Sequence, residues 1–165
     1  MTWTTRILNG IYVLLIILFL LDSLTSFDIK SQLLKTFVYL GLLIGTPLTL
    51  TWNFFVLKTK NRKIIGTVFP TIILIFILIV GPLKIIFSTS AWQTKTILYT
   101  NGHFSFKTIE FQTQDMGALG YNKRTVEVLY LTDFFMIINE IPLEIDKKVE
   151  WIKADKEIKI ENHFQ

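Results

Sequence analysis

Potential metal ligands are scarce in this sequence. The chain of 165 residues has no cysteine, and its two histidines, His103 and His163, lie far apart with no H-E-x-x-H pattern. Zinc sites draw on three or four Cys, His, Asp or Glu ligands at characteristic spacings. Thiol chemistry is absent as well. We therefore expect no metal site and no cofactor.

Carboxylates are the remaining groups that could do acid–base chemistry. Glycosidases need two carboxyl groups a few ångströms apart, and linear order does not show whether any two meet. There is no G-x-S-x-G pattern, and His103 with Ser105 is more simply a solvated pair near a turn. These observations favour a protein that is not an enzyme and leave catalysis open only if carboxylates converge. The candidates are Glu110, Asp115, Glu127 and Asp133.

A glycine-containing segment at residues 115–124 is the strongest candidate for contact with another molecule. Its glycines free the backbone and Lys123 and Arg124 follow, so it could cradle an anion, although it lacks the Walker pattern. Apolar residues in a predicted loop are costly in water unless they pack on something. We therefore predict an interaction loop that consists of Met116, Gly117, Leu119, Gly120 and Tyr121.

Three apolar stretches predict transmembrane helices, at about residues 6–25, 36–57 and 64–85. About 20 apolar residues cross the roughly 30 Å hydrocarbon core of a bilayer at about 1.5 Å per residue. The second and third stretches meet this length. The first does so only if Arg6 and Asp22 lie at the two headgroup levels. The alternative for the first stretch is a cleaved signal peptide, although no good small-x-small cleavage site follows it.

The second stretch contains a G-x-x-x-G step at Gly41 and Gly45, which predicts close helix packing because hydrogens replace side chains on one face. Threonines in these stretches are expected to return hydrogen bonds to their own helix backbone. Lys35 and Lys84, at the ends of spans, are expected to extend to the membrane interface. The second and third spans contain no Asp, Glu, His or Arg, which disfavours an ion-coupled transporter.

The short segment between the second and third stretches predicts the orientation. It carries four basic residues and no acid, and these topology determinants are Lys58, Lys60, Arg62 and Lys63. The segment from Asp22 to Lys35 is charge-balanced. Because cytoplasmic loops carry an excess of Lys and Arg, the basic segment is predicted to be cytoplasmic. The chain is then a multi-pass cell-membrane protein with a cytoplasmic N-terminus and an extracytoplasmic C-terminal domain.

The net charge of +4 follows the same division. Residues 1–87 hold eight basic and two acidic residues, whereas residues 88–165 hold nine basic and eleven acidic residues. The positive charge therefore belongs to the membrane region, and the rest of the chain is slightly acidic. This distribution predicts a lipid bilayer as partner and no nucleic acid.

Residues 88–165 alternate apolar and polar residues between turn signals, which is typical of strands. Asn101-Gly102 predicts a tight type I′ hairpin turn. Two further strands are expected at residues 125–132 and 134–138. The remainder fits a second hairpin turning at Asp155-Lys156, or a short helix over residues 146–154.

The sequence predicts an α+β membrane protein with two regions. Residues 1–87 form three transmembrane helices, and residues 88–165 form a small antiparallel β-sheet or partly open β-barrel of five or six strands. We interpret it as an accessory or protein-interaction component of the cell envelope, whose partner is a membrane or envelope protein or a second copy. The alternatives are a membrane immunity or resistance protein, a membrane enzyme acting on lipid or envelope polymers, and a channel, which would require oligomerisation because three helices enclose no pore.

Overall fold

The computed structural model describes residues 3–141 and 151–157, and it divides them into two units. A helical unit comprises the residues up to Ser23 and those from Leu33 to Thr89. A β unit comprises Leu24–Gln32 and the described residues from Ser90 onward. The connection between the first two helices thus belongs to the β unit, together with the chain that follows the last helix.

Three helices are long and apolar enough to cross a membrane: α1 (Trp3–Leu24), α2 (Gln32–Val56) and α3 (Lys60–Val80). A short helix α4 (Pro82–Phe87) follows. The predicted third span was expected to continue to residue 85, but α3 ends at Val80. Gly81 takes a φ of 94°, and Pro82, which has no N–H to donate, starts the new helix.

The facing sides of α1 and α2 form the core of the helical unit. Phe19 and Tyr39 meet edge to face, with ring centroids 5.0 Å apart, and the Tyr12 hydroxyl donates to Thr46 Oγ1 at 3.0 Å. The other sides of the three helices carry many exposed apolar residues, as helices long and apolar enough to cross a membrane would. Examples are Ile11, Leu14, Ile17, Ile44, Leu48, Ile65, Ile72 and Leu78.

Asn53 links the three long helices to one another and is fully buried. Its amide nitrogen donates to Asn9 Oδ1 on α1 at 2.9 Å and to the Gly66 carbonyl on α3 at 2.8 Å. Asn9 Nδ2 returns a hydrogen bond of 3.1 Å to Asn53 Oδ1. Because buried amides are costly without hydrogen-bond partners, these bonds favour one arrangement of the helices.

Lys35 differs from its prediction. Instead of extending to the interface it is 4% exposed, and its ammonium lies 3.2 Å from Asp22 Oδ2. The Tyr39 hydroxyl also donates to that carboxylate. A buried ammonium is tolerated here because it has an opposite charge beside it. Lys84 is exposed. The threonine hydroxyls at 51, 67 and 71 donate to carbonyls of their own helices, as predicted.

The β unit is a six-stranded open sheet with every neighbouring pair antiparallel, in the order β1-β5-β4-β3-β2-β6. The predicted antiparallel sheet is therefore confirmed. Strand β1, in the α1–α2 connection, was not predicted. The strands are β1 (Phe27–Ile29), β2 (Gln93–Asn101), β3 (Lys107–Asp115), β4 (Tyr121–Tyr130), β5 (Phe135–Glu140) and β6 (Trp151–Glu157).

The predicted β2–β3 hairpin is present, but the prediction of a tight Asn-Gly turn is wrong. Residues 102–106 connect the strands, and Thr100 pairs with Thr108. Asn101 Oδ1 instead accepts hydrogen bonds from the backbone N–H groups of His103 and Phe104, at 2.9 and 3.0 Å. This side-chain capping stabilises a wider turn, as asparagine commonly does in loops. His103 and Ser105 are exposed in it, as a solvated pair would be.

The predicted second hairpin is also wrong in its described part. Asp155 and Lys156 lie within β6, which continues through them and pairs with β2, so Thr96 lies opposite Glu157. A long-range partner strand overrides the local turn signal of these residues. The strand likewise excludes the alternative helix at residues 151–154. The second arm beyond residue 157 and the helix residues 146–150 lie outside the described residues.

Candidate functional site

Strand β3 carries an unusual set of buried polar side chains on one face. Thr108, Glu110, Gln112 and Gln114 alternate along the strand and are at most 7% exposed. On the opposite face of the strand, Ile109 is buried as well, at 1% exposed. The strand lies between β4 and β2 in the sheet, which places these side chains near the middle of the β unit.

The carboxylate of Glu110 is fully buried and accepts four hydrogen bonds. Oε1 accepts from the hydroxyls of Thr108 and Tyr130, each at 2.7 Å. Oε2 accepts from the hydroxyl of Thr94 at 2.6 Å and from the amide of Gln112 at 3.0 Å. Four donors thus replace the hydration that a buried carboxylate loses.

Gln112 connects Glu110 to an ion pair. While its amide nitrogen donates to Glu110, its Oε1 accepts from Arg124 Nε and from an Arg124 terminal nitrogen, at 3.0 and 2.8 Å. That terminal nitrogen also donates to Asp28 Oδ2 at 2.6 Å, and the guanidinium carbon Cζ lies over the Trp92 ring, 4.0 Å from its centre. The side chains of Arg124 and Asp28 are 10% and 4% exposed. Four strands of the β unit, β1 to β4, therefore meet through one polar network, with Trp92 directly before β2.

An apolar cluster lies on the same face of the sheet. Val126, Val128 and Met136 are buried there, and Trp92, Tyr130 and Ile138 pack against them. Trp92 and Tyr130 belong to both the cluster and the polar network. Among the residues that the structure describes, every buried side-chain nitrogen or oxygen has a hydrogen-bond partner. The network is therefore internally complete, and it joins segments that are distant in sequence.

The four candidate carboxylates do not converge. Because Glu110 pairs with Val126 and Ile109 pairs with Glu127, Glu110 and Glu127 project from opposite faces of the sheet. Asp115 and Asp133 are exposed at opposite ends of β4, where Asp115 accepts from the Gly117 N–H at 2.7 Å. Glu127 instead pairs with Lys107 at 2.8 Å. No acid–base pair of the kind that hydrolysis requires results from these four residues.

The buried phenol of Tyr130 should make the stability of the β unit depend on pH. Burial, and then the hydrogen bond and charge of Glu110, raise the pKa of its phenol above the usual value of 10. The folded state therefore holds this proton more tightly than the unfolded state, and the resulting stability is present below pH 10 and lost as the pH rises above it. We expect up to about 1.4 kcal/mol to be lost per pH unit there. Urea titrations between pH 8 and about 11 measure it, and Tyr130→Phe should flatten the profile relative to wild type. Equal slopes would contradict this assignment.

The predicted interaction loop is a short, ordered turn between β3 and β4. A single turn of 3-10 helix covers Gly117–Leu119, and the Met116 N–H donates to the Gly120 carbonyl at 2.8 Å. Gly117 and Gly120 have φ angles of 61° and 87°, which side chains strongly disfavour. Leu119 and Tyr121 are 70% and 64% exposed, and Tyr121 is the first residue of β4.

The structure places the two G-x-x-x-G residues against α1. A Cβ added at Gly41 would lie 3.0 Å from Leu15 Cδ1, and one at Gly45 would lie 3.8 Å from Tyr12 Cδ2. Gly66 makes a closer approach that the sequence reading missed. Its added Cβ would lie 2.6 Å from Leu57 Cδ1, where α2 and α3 meet.

The predicted topology determinants lie where α2 ends and α3 begins. Lys58, Lys60 and Arg62 are exposed, and Lys63 lies with its ammonium 5.1 Å from the centre of the Phe54 ring. Within the described ranges, no three His, Asp or Glu side chains are grouped closely enough to hold a metal ion.

Sequence reasoning singled out Glu110 but missed Asp28, Gln112, Arg124 and Tyr130 as its network. One signal was available: Thr108, Glu110, Gln112 and Gln114 form a polar stripe with a period of two. Such a stripe ordinarily indicates the solvated face of a strand, so the pattern misleads unless the strand is known to be central.

Comparisons with protein-family models, with curated proteins and with solved structures find no match for this chain.

Proposed function

We propose that this protein is an accessory or interaction component of the cell envelope, anchored by its helices and presenting the β unit on the extracytoplasmic side. The observation that carries the proposal is the hydrogen-bonded β3–β4 turn with its exposed apolar side chains. Leu119 and Tyr121 are among the most exposed hydrophobic residues of the β unit. Apolar side chains held out on an ordered turn are typical of contact surfaces.

The proposed membrane topology is supported by where the strands of the sheet lie in the chain. Strand β1 precedes α2 and strand β2 follows α4, yet both belong to one sheet. The two segments must be on the same side of a bilayer, which α2 and α3 achieve by crossing it twice. The basic residues between α2 and α3 then lie on the other side, as the positive-inside rule requires of a cytoplasmic segment.

Retention of α1 is supported by its specific contacts. Asn9 and Tyr12 hydrogen-bond to Asn53 and Thr46 of α2, and Leu15 fills the surface beside Gly41. A cleaved signal peptide would remove the hydrogen bonds that Asn9 and Tyr12 make to Asn53 and Thr46, and lipid could not replace them. With α1 retained, three spans leave the N-terminus in the cytoplasm.

A non-catalytic role is supported by the completeness of the polar network and by the dispersion of the four carboxylates described above. Neither feature offers an unpaired acid or base to a substrate. An immunity protein would also need no catalytic group, and it is distinguished by protecting a sensitive host when expressed alone. Because no catalytic group is evident among these residues, the proposal depends on contact through the β3–β4 turn.

The test of the contact surface is cross-linking in intact cells followed by purification. We expect Leu119→Asp combined with Tyr121→Asp to abolish co-purification of a partner while the protein stays in the membrane fraction, because two charges in an apolar interface are strongly unfavourable. The partner is either an envelope protein or a second copy, which the mass of the cross-linked product identifies.

The matched control is Leu131→Asp combined with Phe134→Asp. These residues are 49% and 54% exposed near the opposite end of β4. Co-purification should survive this control. Loss of the partner in both double variants, or in neither, contradicts a role for the β3–β4 turn.

The proposed topology has its own test, because the natural chain contains no cysteine. We expect Ser105→Cys, in the exposed β2–β3 turn, to react with a membrane-impermeant maleimide in right-side-out vesicles. Asn61→Cys, in the exposed start of α3, should react only after the vesicles are opened. The reverse labelling pattern would overturn the extracytoplasmic placement of the β unit.

A further inference from the structure

A groove of about 320 Å³ runs between α2 and α3 in the helical unit. It begins within one helical turn of the basic segment that joins these helices. Phe54 and Phe55, 56% and 79% exposed, belong to its lining. The full lining consists of Leu50, Thr51, Phe54, Phe55, Thr67 and Thr71.

The groove presents an apolar surface despite its three threonines. The Thr51 hydroxyl donates to the Pro47 carbonyl at 2.9 Å, that of Thr67 to the Lys63 carbonyl at 2.8 Å, and that of Thr71 to the Thr67 carbonyl at 2.8 Å. Each hydroxyl proton is thereby used within its own helix. Methyl groups and aromatic rings remain to contact an occupant, which suits a hydrocarbon chain.

The basic residues beside the groove have no acidic partner available within the helical unit. Asp22 is the single acidic residue of the helical unit in the sequence, and it is paired with Lys35. Lys58, Lys60 and Arg62 are exposed, and Lys63 lies beside the groove, with its ammonium 5.1 Å from the centre of the Phe54 ring. A ligand that combines an anionic group with a hydrocarbon chain matches both features at once.

We propose that this groove is a binding site for an anionic phospholipid. Its phosphate lies between the ammonium groups of Lys60 and Lys63, and one acyl chain occupies the groove between α2 and α3. Lysines near a membrane surface bind anionic headgroups as point charges. This site is independent of the β3–β4 turn, so its failure would leave the proposed function untouched.

The charge arm of the test uses the full-length protein in detergent, where the orientation in a membrane has no influence. Binding of phosphatidylglycerol and phosphatidylcholine with identical acyl chains is measured by native mass spectrometry. We expect phosphatidylglycerol to bind with at least ten-fold higher affinity. Lys60→Gln combined with Lys63→Gln should remove most of that preference, because each lysine contributes about five-fold at a membrane surface. Inorganic phosphate, which has no acyl chain, should not displace the lipid.

The control for charge is Lys84→Gln combined with Lys123→Gln, which removes two exposed lysines elsewhere and should leave the preference intact. The control for the groove is a pair of neighbours on α3. Thr71→Trp fills the groove and should lower phosphatidylglycerol affinity, whereas Ile72→Trp, at an exposed residue outside the lining, should not. Circular dichroism confirms that each variant is folded.

Three outcomes overturn the proposal. Equal affinity for the two lipids would mean that the groove accepts any apolar chain or a helix of a partner protein. If the double variant still preferred phosphatidylglycerol over phosphatidylcholine, Lys60 and Lys63 would not bind the headgroup. Their remaining role would be to set the orientation of the helices in the membrane. Displacement by inorganic phosphate would show an anion site that does not use the groove.

Discussion

Replacing Arg124 with methionine is expected to lower the free energy of unfolding of the β unit by about 3–5 kcal/mol. Methionine keeps an apolar stem against Trp92 but leaves the carboxylate of Asp28, 4% exposed, without its cation. Gln112 Oε1 also loses the donors that Arg124 provides. Urea titration of the full-length protein in detergent, followed by far-UV circular dichroism, measures the change.

The matched control is Lys123→Met on the same strand. Lys123 is exposed, and its side chain projects to the other face of β4, so this change should cost less than about 0.5 kcal/mol. Adding Asp28→Leu to Arg124→Met should recover much of the loss, because it removes the uncompensated charge. Equal effects at positions 123 and 124, or a double variant as unstable as the sum of its parts, would contradict a buried ion pair.

Replacing Glu110 with leucine is expected to unfold the β unit at ambient temperature. The change orphans the donors of Thr94, Thr108, Gln112 and Tyr130 together, and each buried unpaired donor costs about 1–3 kcal/mol. The combined cost approaches or exceeds the 5–15 kcal/mol that stabilises a typical domain. The readout is the β-sheet signal in circular dichroism of the full-length protein, with the helical signal as an internal reference.

Glu127→Leu is the control for this prediction. Glu127 lies on the adjacent strand, faces the opposite side of the sheet and pairs with Lys107, with about a quarter of its side chain exposed. A partly exposed ion pair contributes at most about 1 kcal/mol, so the sheet should remain folded. Glu110→Gln should be intermediate, since one oxygen still accepts hydrogen bonds. If Glu110→Leu folds as well as Glu127→Leu, the network does not stabilise the sheet.

Both predictions concern one polar network that stabilises the β unit. This network also holds β1, which lies in the α1–α2 connection, against the rest of the sheet. Asp28 and Arg124 are 96 residues apart in sequence. Strand β1 has only three residues, and Asp28 is its central one. A strand so short adds little by itself, and the ion pair anchors it together with the fully buried Ile29.

The helices were predictable because their signal is local. Long uncharged stretches identify α1, α2 and α3 wherever they occur, and alternation in the C-terminal part indicates strands. The β2–β3 hairpin was predictable for the same reason, although the side chain of Asn101 changed its turn. Asp155-Lys156 shows the limit of local signals: a turn-prone pair becomes strand when a partner such as β2 is available.

By itself, the sequence determined the apolar helices, an antiparallel sheet with the β2–β3 hairpin, the separation of basic from acidic charge and a glycine-containing connection after β3. All of these depend on neighbours within a few residues. Only the tertiary structure decided that Glu110 and Gln112 are buried, that Lys35 pairs with Asp22, and that residues 27–29 join the sheet. Burial of a polar group depends on which distant donors can replace its water, and those partners are brought together by the fold.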